Sequence, residues 1–433
     1  MPHSTPAESD EQHTPSRTEA LKVWNRIGFL SFGGPAAQIA LMHREIVETR
    51  NWLSEKQYLN ALSFCMLLPG PEAMQLATYA GWRLHGTLGG LIAGILFVLP
   101  GAIVIGILAT AYVLYGALPS VSALFLGVKA AVIVIVIQAL SRVAKRALSL
   151  FEHWLTAVMA FIGIFFFTVP YPLIVALAAI FGFMRNTAGS DDLATVRVNR
   201  SGFGTLSTIS IWLIIWWSPI LLVGAFNAEG LLFEIGLFFS KLAVVTFGGA
   251  YAVLAYLGQD VVSQLGWISA GEMIDGLGLA ETTPGPLILV TEYVGFLAAY
   301  RDGGFWFALA GALMTLWATF TPCFLWIFAG APYIDWIGSQ ARLRGALTAI
   351  TAAVVGVILN LSIWFALHVF FAEVSAETYG PLTLWTPDPA TLDLRVVALS
   401  CCCAFLLFKL KWGIIRVLAT ASFAGFVITL ISG

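Results

Sequence analysis

One phrase occurs twice in the chain, each time in two parts, and each part interrupts an apolar segment. Phe32-Gly33-Gly34 is followed by Pro69-Gly70-Pro71, and 215 residues later Phe247-Gly248-Gly249 is followed by Pro284-Gly285-Pro286. Around these motifs the same offset pairs Arg26 with Lys241, Glu45 with Asp260, Trp52 with Trp267 and Asn60 with Asp275. After a seven-residue slip the offset becomes 222, pairing Pro100 with Pro322, Ala130-Ala131-Val132 with Ala352-Ala353-Val354, and Gln138 with Asn360. One offset that holds and a second that resumes mark an internal duplication. The chain therefore folds as two copies of one plan, each with two breaks.

The breaks lie in a membrane protein. Of 433 residues 59% are hydrophobic and 11% charged, with mean hydropathy +0.87, where a soluble domain carries about 25% charged residues. The apolar runs are continuous and do not alternate as in an outer-membrane barrel. The expected fold class is thus all-α, a polytopic membrane protein with inverted-topology repeats and broken, re-entrant half-helices, with the lipid bilayer as its surroundings. A net charge of -2 argues against a nucleic-acid partner. The five cysteines, Cys65, Cys323, Cys401, Cys402 and Cys403, sit in apolar runs with no metal-site or disulfide spacing and read as small core residues. No cofactor motif appears. Residues 1–17 are polar with three prolines and read as a disordered cytoplasmic tail, not a signal peptide.

The first membrane repeat, 18–185, opens with two broken segments, Thr18–Val47 and Lys56–His85. Full spans follow at Leu88–Tyr115 and Ala117–Leu140, then a close pair, Trp154–Val169 and Tyr171–Met184. A polar cytoplasmic linker, 186–205, carries Arg197 and Arg200 next to Arg185. Leu206–Phe226 is a single extra helix. The second repeat, 227–433, has broken segments at Glu229–Val262 and Ser269–Tyr300, then spans at Gly304–Gly330, Leu343–Phe371, Leu392–Phe408 and Trp412–Ile431.

Loop charges orient these spans. Arg142, Lys145 and Arg146 place one end of the first repeat in the cytoplasm. Their counterpart, His368–Trp385, has no Lys or Arg and lies outside. The halves are therefore inverted, and Leu206–Phe226 is the helix that inverts them. The loop His43–Lys56 holds Arg44, Arg50 and Lys56, and stays inside only if Thr18–Val47 enters and returns at Phe32-Gly33-Gly34. That predicts nine crossings plus four re-entrant hairpins, with the N-terminus cytoplasmic and the C-terminus periplasmic. If the broken segments cross instead, there are 13 spans and the ends keep their sides.

The breaks carry the chemistry. Glycine lets the chain reverse and a solute approach the backbone, and proline suits the first turn of the next helix. Half-helices are expected to begin near Gly34, Pro71, Gly249 and Pro286, each presenting unpaired N–H groups and a positive dipole end. Facing starts deep in a membrane make an anion site without a fixed charge; kinks and small-residue packing are the structural alternative. Arg26 and Lys241, six residues before Phe32 and Phe247, are candidate charges for the ion, or else snorkel or pair with Glu45 or Asp260. Glu72 follows Pro71 and is a cap, a competitor of the anion or a proton carrier. Gln38, Gln75, Thr282, Thr283 and Thr291 are candidate donors to oxyanion oxygens. Glu281 and Glu292 are candidate gating or proton groups. Lys129, inside an apolar span, pairs with a carboxylate or snorkels.

At these residues the sequence resembles the chromate ion transporter family, on Phe32-Gly33-Gly34-Pro35-Ala36-Ala37-Gln38, Leu68-Pro69-Gly70-Pro71, Thr246-Phe247-Gly248-Gly249-Ala250-Tyr251 and Thr283-Pro284-Gly285-Pro286. The likeness covers nearly all of 18–431. Ala250 stands where the first motif has Pro35, and Leu287 where it has Glu72, so the two halves are not equivalent and the ion is expected nearer the first pair. The resemblance implies export of chromate through the bacterial inner membrane and chromate resistance, with sulfate as a competing oxyanion and a homodimer as one admissible assembly. A passive oxyanion channel and a sulfate or other oxyanion transporter are the alternatives. A membrane chromate reductase has no cofactor motif to support it.

Overall fold

The computed structural model describes residues 15–185, 202–247 and 249–432; the tail to residue 14, the linker 186–201 with Arg197 and Arg200, and Gly248 lie outside the described residues. Helix α1 (Arg17–Leu30) starts at the N-cap Ser16. It is 14 residues long, or about 21 Å against a hydrocarbon core of about 30 Å. It ends where the Ser31 hydroxyl donates back to the Ile27 carbonyl at 2.6 Å. Gly33 and Gly34 then take φ of +87° and +79°, the left-handed region that glycine alone enters freely, and the chain reverses into α2 (Gly34–His43). The two legs fold back on each other, so that Arg26 of α1 lies 3.8 Å from Glu45, just beyond α2.

A capping box of Ser54 and Gln57 starts α3 (Glu55–Cys65), and α4 (Glu72–Tyr115) begins directly after Pro71. Helix α4 is continuous in hydrogen bonding but not straight. At Gly86, φ is 65° and ψ is -159°, and its two limbs pack antiparallel: a Cβ on Gly81 would strike the Gly89 carbonyl, and one on Gly94 would meet Thr78 and Met74. The broken segment read from sequence as Lys56–His85 is thus α3, the Pro-Gly-Pro break and the first limb of α4, and Gly86 turns that limb back into the full span Leu88–Tyr115. Helices α5 (Pro119–Ala147), α6 (Phe151–Phe167), α7 (Tyr171–Arg185) and α8 (Gly202–Phe226) follow.

The second half repeats these devices. After α9 (Leu231–Val245) the Thr246 hydroxyl donates to the Leu242 carbonyl at 2.5 Å, and Gly249 at φ +93° precedes α10 (Ala250–Leu257). Ser269 and Glu272 form the capping box of α11 (Ala270–Thr282). Helix α12 (Val290–Gly330) folds back at Gly304, φ 74° and ψ -162°, bringing Gly295 against Gly311 and Thr315. A short α13 (Ile334–Ser339) leads to α14 (Ala341–Phe370), which packs along α5, α6 and α7. Then come α15 (Leu394–Ala404), a π turn at Phe405–Lys409, and α16 (Ile414–Ser432).

Among the described residues six helices are long and apolar enough to cross a membrane: α4, α5, α8, α12 with its flanking turns, α14 and α16; α6 and α7 are shorter apolar helices. The segment expected as the span Leu392–Phe408 is not among the six. Between α14 and α15 lies a feature absent from the all-α expectation: strands β1 (Val374–Tyr379) and β2 (Leu382–Pro387) form an antiparallel hairpin turning at Gly380. Its Val, Thr, Tyr and Trp content favours a pleated half-buried surface, and Trp385 docks edge-on against His368 at 5.8 Å. Cys65, Cys323 and Cys403 are buried as expected, whereas Cys401 and Cys402 face outward, because consecutive residues on a helix point in different directions.

Candidate functional site

The four breaks meet in two pairs, through a reciprocal exchange between the halves that forms the junction. The Gly70 N–H donates to the Thr246 carbonyl at 2.8 Å, and the Gly285 N–H donates to the Ser31 carbonyl at 2.9 Å. Gly70 and Gly285 are equivalent positions, as are Ser31 and Thr246. Each Pro-Gly-Pro turn therefore docks on the residue that precedes the other half's Phe-Gly-Gly. The same relation governs the helices behind the turns. Helices α4 and α12 pass antiparallel, Gly90 against Phe328 and Gly94 against Phe324. Gly101 of α4 lies against the Pro284 carbonyl, while its counterpart Cys323 in α12 lies against Gly70.

The helix starts fall where the breaks predicted them. Helix α2 begins at Gly34 with Pro35 in its first turn, α4 at Glu72 after Pro71, and α10 at Ala250 after Gly249. A single 3₁₀ turn at Leu287–Leu289 follows Pro286 and leads into α12. Each start leaves backbone N–H groups without helical partners. The halves differ in access. Gly33, Gly34, Pro35, Pro69, Pro71 and Glu72 are half-buried and Phe32 is exposed, whereas Pro284, Gly285, Pro286 and Leu287 are buried. Phe247 is half-buried.

The side chains expected as oxyanion donors are engaged elsewhere. Buried Gln38 donates its amide to the Gly285 carbonyl at 2.6 Å and to the Ser31 carbonyl at 3.2 Å, and Gln75 donates to the Pro69 carbonyl at 2.7 Å. The hydroxyls of Thr282, Thr283 and Thr291 donate to the carbonyls of Leu279, Ala280 and Ile288. The reason is physical: breaking a helix frees carbonyls as well as N–H groups, and away from water each freed carbonyl must find a donor. Gln38 in particular braces the first Phe-Gly-Gly break to the second Pro-Gly-Pro turn.

Four of the charged candidates also have partners. Arg26 takes its pairing alternative, with Glu45, which Arg50 also holds at 2.5 Å. Lys241 sits 5.5 Å over the Tyr256 ring. The Glu281 carboxylate accepts from the Tyr251 hydroxyl at 2.6 Å. Lys129 pairs with buried Asp275 at 3.6 Å, and the Tyr112 hydroxyl donates to the same carboxylate at 2.9 Å. Glu292 is buried, and its Oε2 has no hydrogen-bond partner among the described residues. Sequence reasoning missed Ser31, Tyr251, Tyr112 and Gly101. The offset of 215 marks Ser31 and Thr246, both hydroxyl residues just before a glycine pair.

Fold and junction together define a polytopic helical membrane protein in which two related but non-identical halves meet at broken helices. The chain belongs to the chromate transporter family, whose pattern matches residues 18–183 and 233–426. It is 31% identical over 343 residues to a "Probable chromate transport protein" of Synechococcus elongatus, covering 79% of this chain and 83% of that one. It is 30% identical over 375 residues to a "Chromate transport protein" of Pseudomonas aeruginosa, covering 83% and 82%. To a protein of the same description from Cupriavidus metallidurans it is 28% identical over 375 residues, covering 84% and 87%. No solved structure matches the chain.

Proposed function

We propose that the protein exports chromate from the cytoplasm across the bacterial inner membrane and so confers chromate resistance. The observation that carries this reading is the reciprocal bonding of Gly70 to Thr246 and Gly285 to Ser31, which joins the four helix breaks in two pairs across the halves. A tetrahedral dianion binds among their N–H groups, nearer the first pair, where Phe32, Pro35 and Pro71 are the more open. Arg26 and Lys241 supply positive charge along its route. The antiparallel passage of α4 and α12 supports inverted repeats, with the paired breaks as re-entrant hairpins from opposite faces, the N-terminus cytoplasmic and the C-terminus periplasmic. Sulfate, of the same shape and charge, competes. An inside-negative potential assists export by about 2.3 kcal/mol per charge per 100 mV.

Chromate accumulation in cells expressing Arg26→Ala or Lys241→Ala at wild-type protein level tests the assignment. Both variants are expected to retain more chromate than cells with the wild-type protein. Wild-type export by both would remove these two side chains from the route.

A further inference from the structure

The two Pro-Gly-Pro turns are approached by one pair of side chains outside the motifs. Arg142 and Arg146 sit one helical turn apart on α5, so both project from the same face. The Arg146 guanidinium reaches the Met66 sulfur at 3.5 Å, three residues before Pro69, and its charge bears on the Glu72 carboxyl just after Pro71. Helix α5 also packs along α11, whose last turn carries Glu281, three residues before Pro284, and the Arg142 charge bears on that carboxyl. Met66 and Glu281 are equivalent positions at the offset of 215. The two arginines thus address the same place in both halves.

Their charge is not spent. Among the described residues, the Arg and Lys ion pairs within 4.0 Å join Arg26 and Arg50 to Glu45, Lys129 to Asp275, Arg185 to Glu152, Arg301 to Glu272 and Arg395 to Asp393. Arg142 and Arg146 belong to none of them. Arg142 donates only to the neutral Gln138 side chain at 3.0 Å, and both arginines are exposed. The repeat makes the contrast sharper. Their counterparts on α14, at the offset of 222, are Trp364 and His368, which stack at 4.2 Å beneath the β-hairpin.

We infer that Arg142 and Arg146 form a capture site for the tetrahedral dianion at the cytoplasmic mouth of the junction. The inference rests on the reading of the protein as an oxyanion exporter. A dianion arriving from the cytoplasm meets two guanidiniums whose planar forks match oxyanion oxygens. It is then handed to the helix starts, whose N–H groups carry only partial charge. The opposite mouth, with an aromatic stack in place of the arginines, holds the ion weakly and lets it leave. The capture step thereby lowers the half-saturating concentration on the cytoplasmic side, while the potential and the gradient set the direction of net flux.

Uptake of labelled chromate into inverted vesicles, whose cytoplasmic face is outward, tests this. In Arg142→Gln or Arg146→Gln the half-saturating chromate concentration is expected to rise about tenfold or more, with the maximal rate nearly kept and the salt dependence of the wild type flattened. Lys145→Gln removes the same charge from the same helix end and leaves half-saturation unchanged, which separates a local site from orientation by loop charge. Wild-type half-saturation in both arginine variants, or an equal rise in Lys145→Gln, overturns the capture site while the exporter reading stands. If the wild-type protein itself shows no saturable uptake, the exporter reading fails and this inference with it.

Discussion

Adding a single methyl group at Gly101 is expected to abolish transport. A Cβ there would land on the Pro284 carbonyl oxygen and come within 2.5 Å of the Leu289 Cδ1. The oxygen cannot step aside, because the next residue is tied on both sides: the Gly285 N–H donates to Ser31 at 2.9 Å, and the Gly285 carbonyl accepts from Gln38 at 2.6 Å. The α4 span must separate from the second Pro-Gly-Pro turn, at about 1–3 kcal/mol for forced overpacking. In an exposed helix interior Gly→Ala gains roughly 1 kcal/mol, so the sign itself is diagnostic. Gly106→Ala is the matched control: a Cβ there meets only the Glu292 Oε1 at 3.5 Å, an ordinary contact. Chromate uptake and thermal stability should fall together in Gly101→Ala and stay near wild type in Gly106→Ala.

The second large effect is expected at Lys129. Its ammonium lies 3.6 Å from Asp275, whose side chain is 6% exposed and which also accepts from Tyr112. Lys129 and Tyr112 belong to the first half and Asp275 to the second, so this pair ties the halves together on a side of the junction that no motif marks. Lys129→Met leaves a buried carboxylate facing only a phenol, a loss of about 3 kcal/mol. Lys129→Met with Asp275→Asn removes both charges and should restore most of that stability. The first half already carries a neutral Asn60 where the second has Asp275, and the second carries Thr351 opposite Lys129. Thermal denaturation of the purified single and double variants measures the recovery; equal destabilisation of both would show that the charges do not pair across the halves.

The duplication made much of this architecture legible beforehand. Two glycines before a helix start, or a proline at its first turn, act locally, so the starts at Gly34, Glu72 and Ala250 follow from sequence alone. The fold-back glycine Gly86 falls in the gap between a broken segment and a full span, and its counterpart Gly304 is the first residue of the span read as Gly304–Gly330. Contacts between the halves were not legible. Nothing in the spacing says that Gly70 pairs with Thr246 and not with Ser31 of its own half, because the choice is made by the packing of α4 on α12. For the same reason Gln38 looked like a ligand donor. Only when Ser31 and Gly285 are brought together does its amide prove to be the group that satisfies their carbonyls. The β-hairpin at 374–387 was missed because its short β-prone strands overlap His368–Trp385, a segment read by charge alone as an outside loop.

The central claim is that the protein moves a dianion through this junction, outward and with the membrane potential. It is tested most directly by labelled chromate uptake into inverted vesicles with an imposed potential, with and without sulfate. The expected result is saturable uptake that needs the wild-type protein, rises when the lumen is made positive, falls when the potential is collapsed, is reduced by sulfate and delivers chromate still hexavalent. Uptake no greater than in vesicles lacking the protein, or indifferent to a positive lumen, would contradict it.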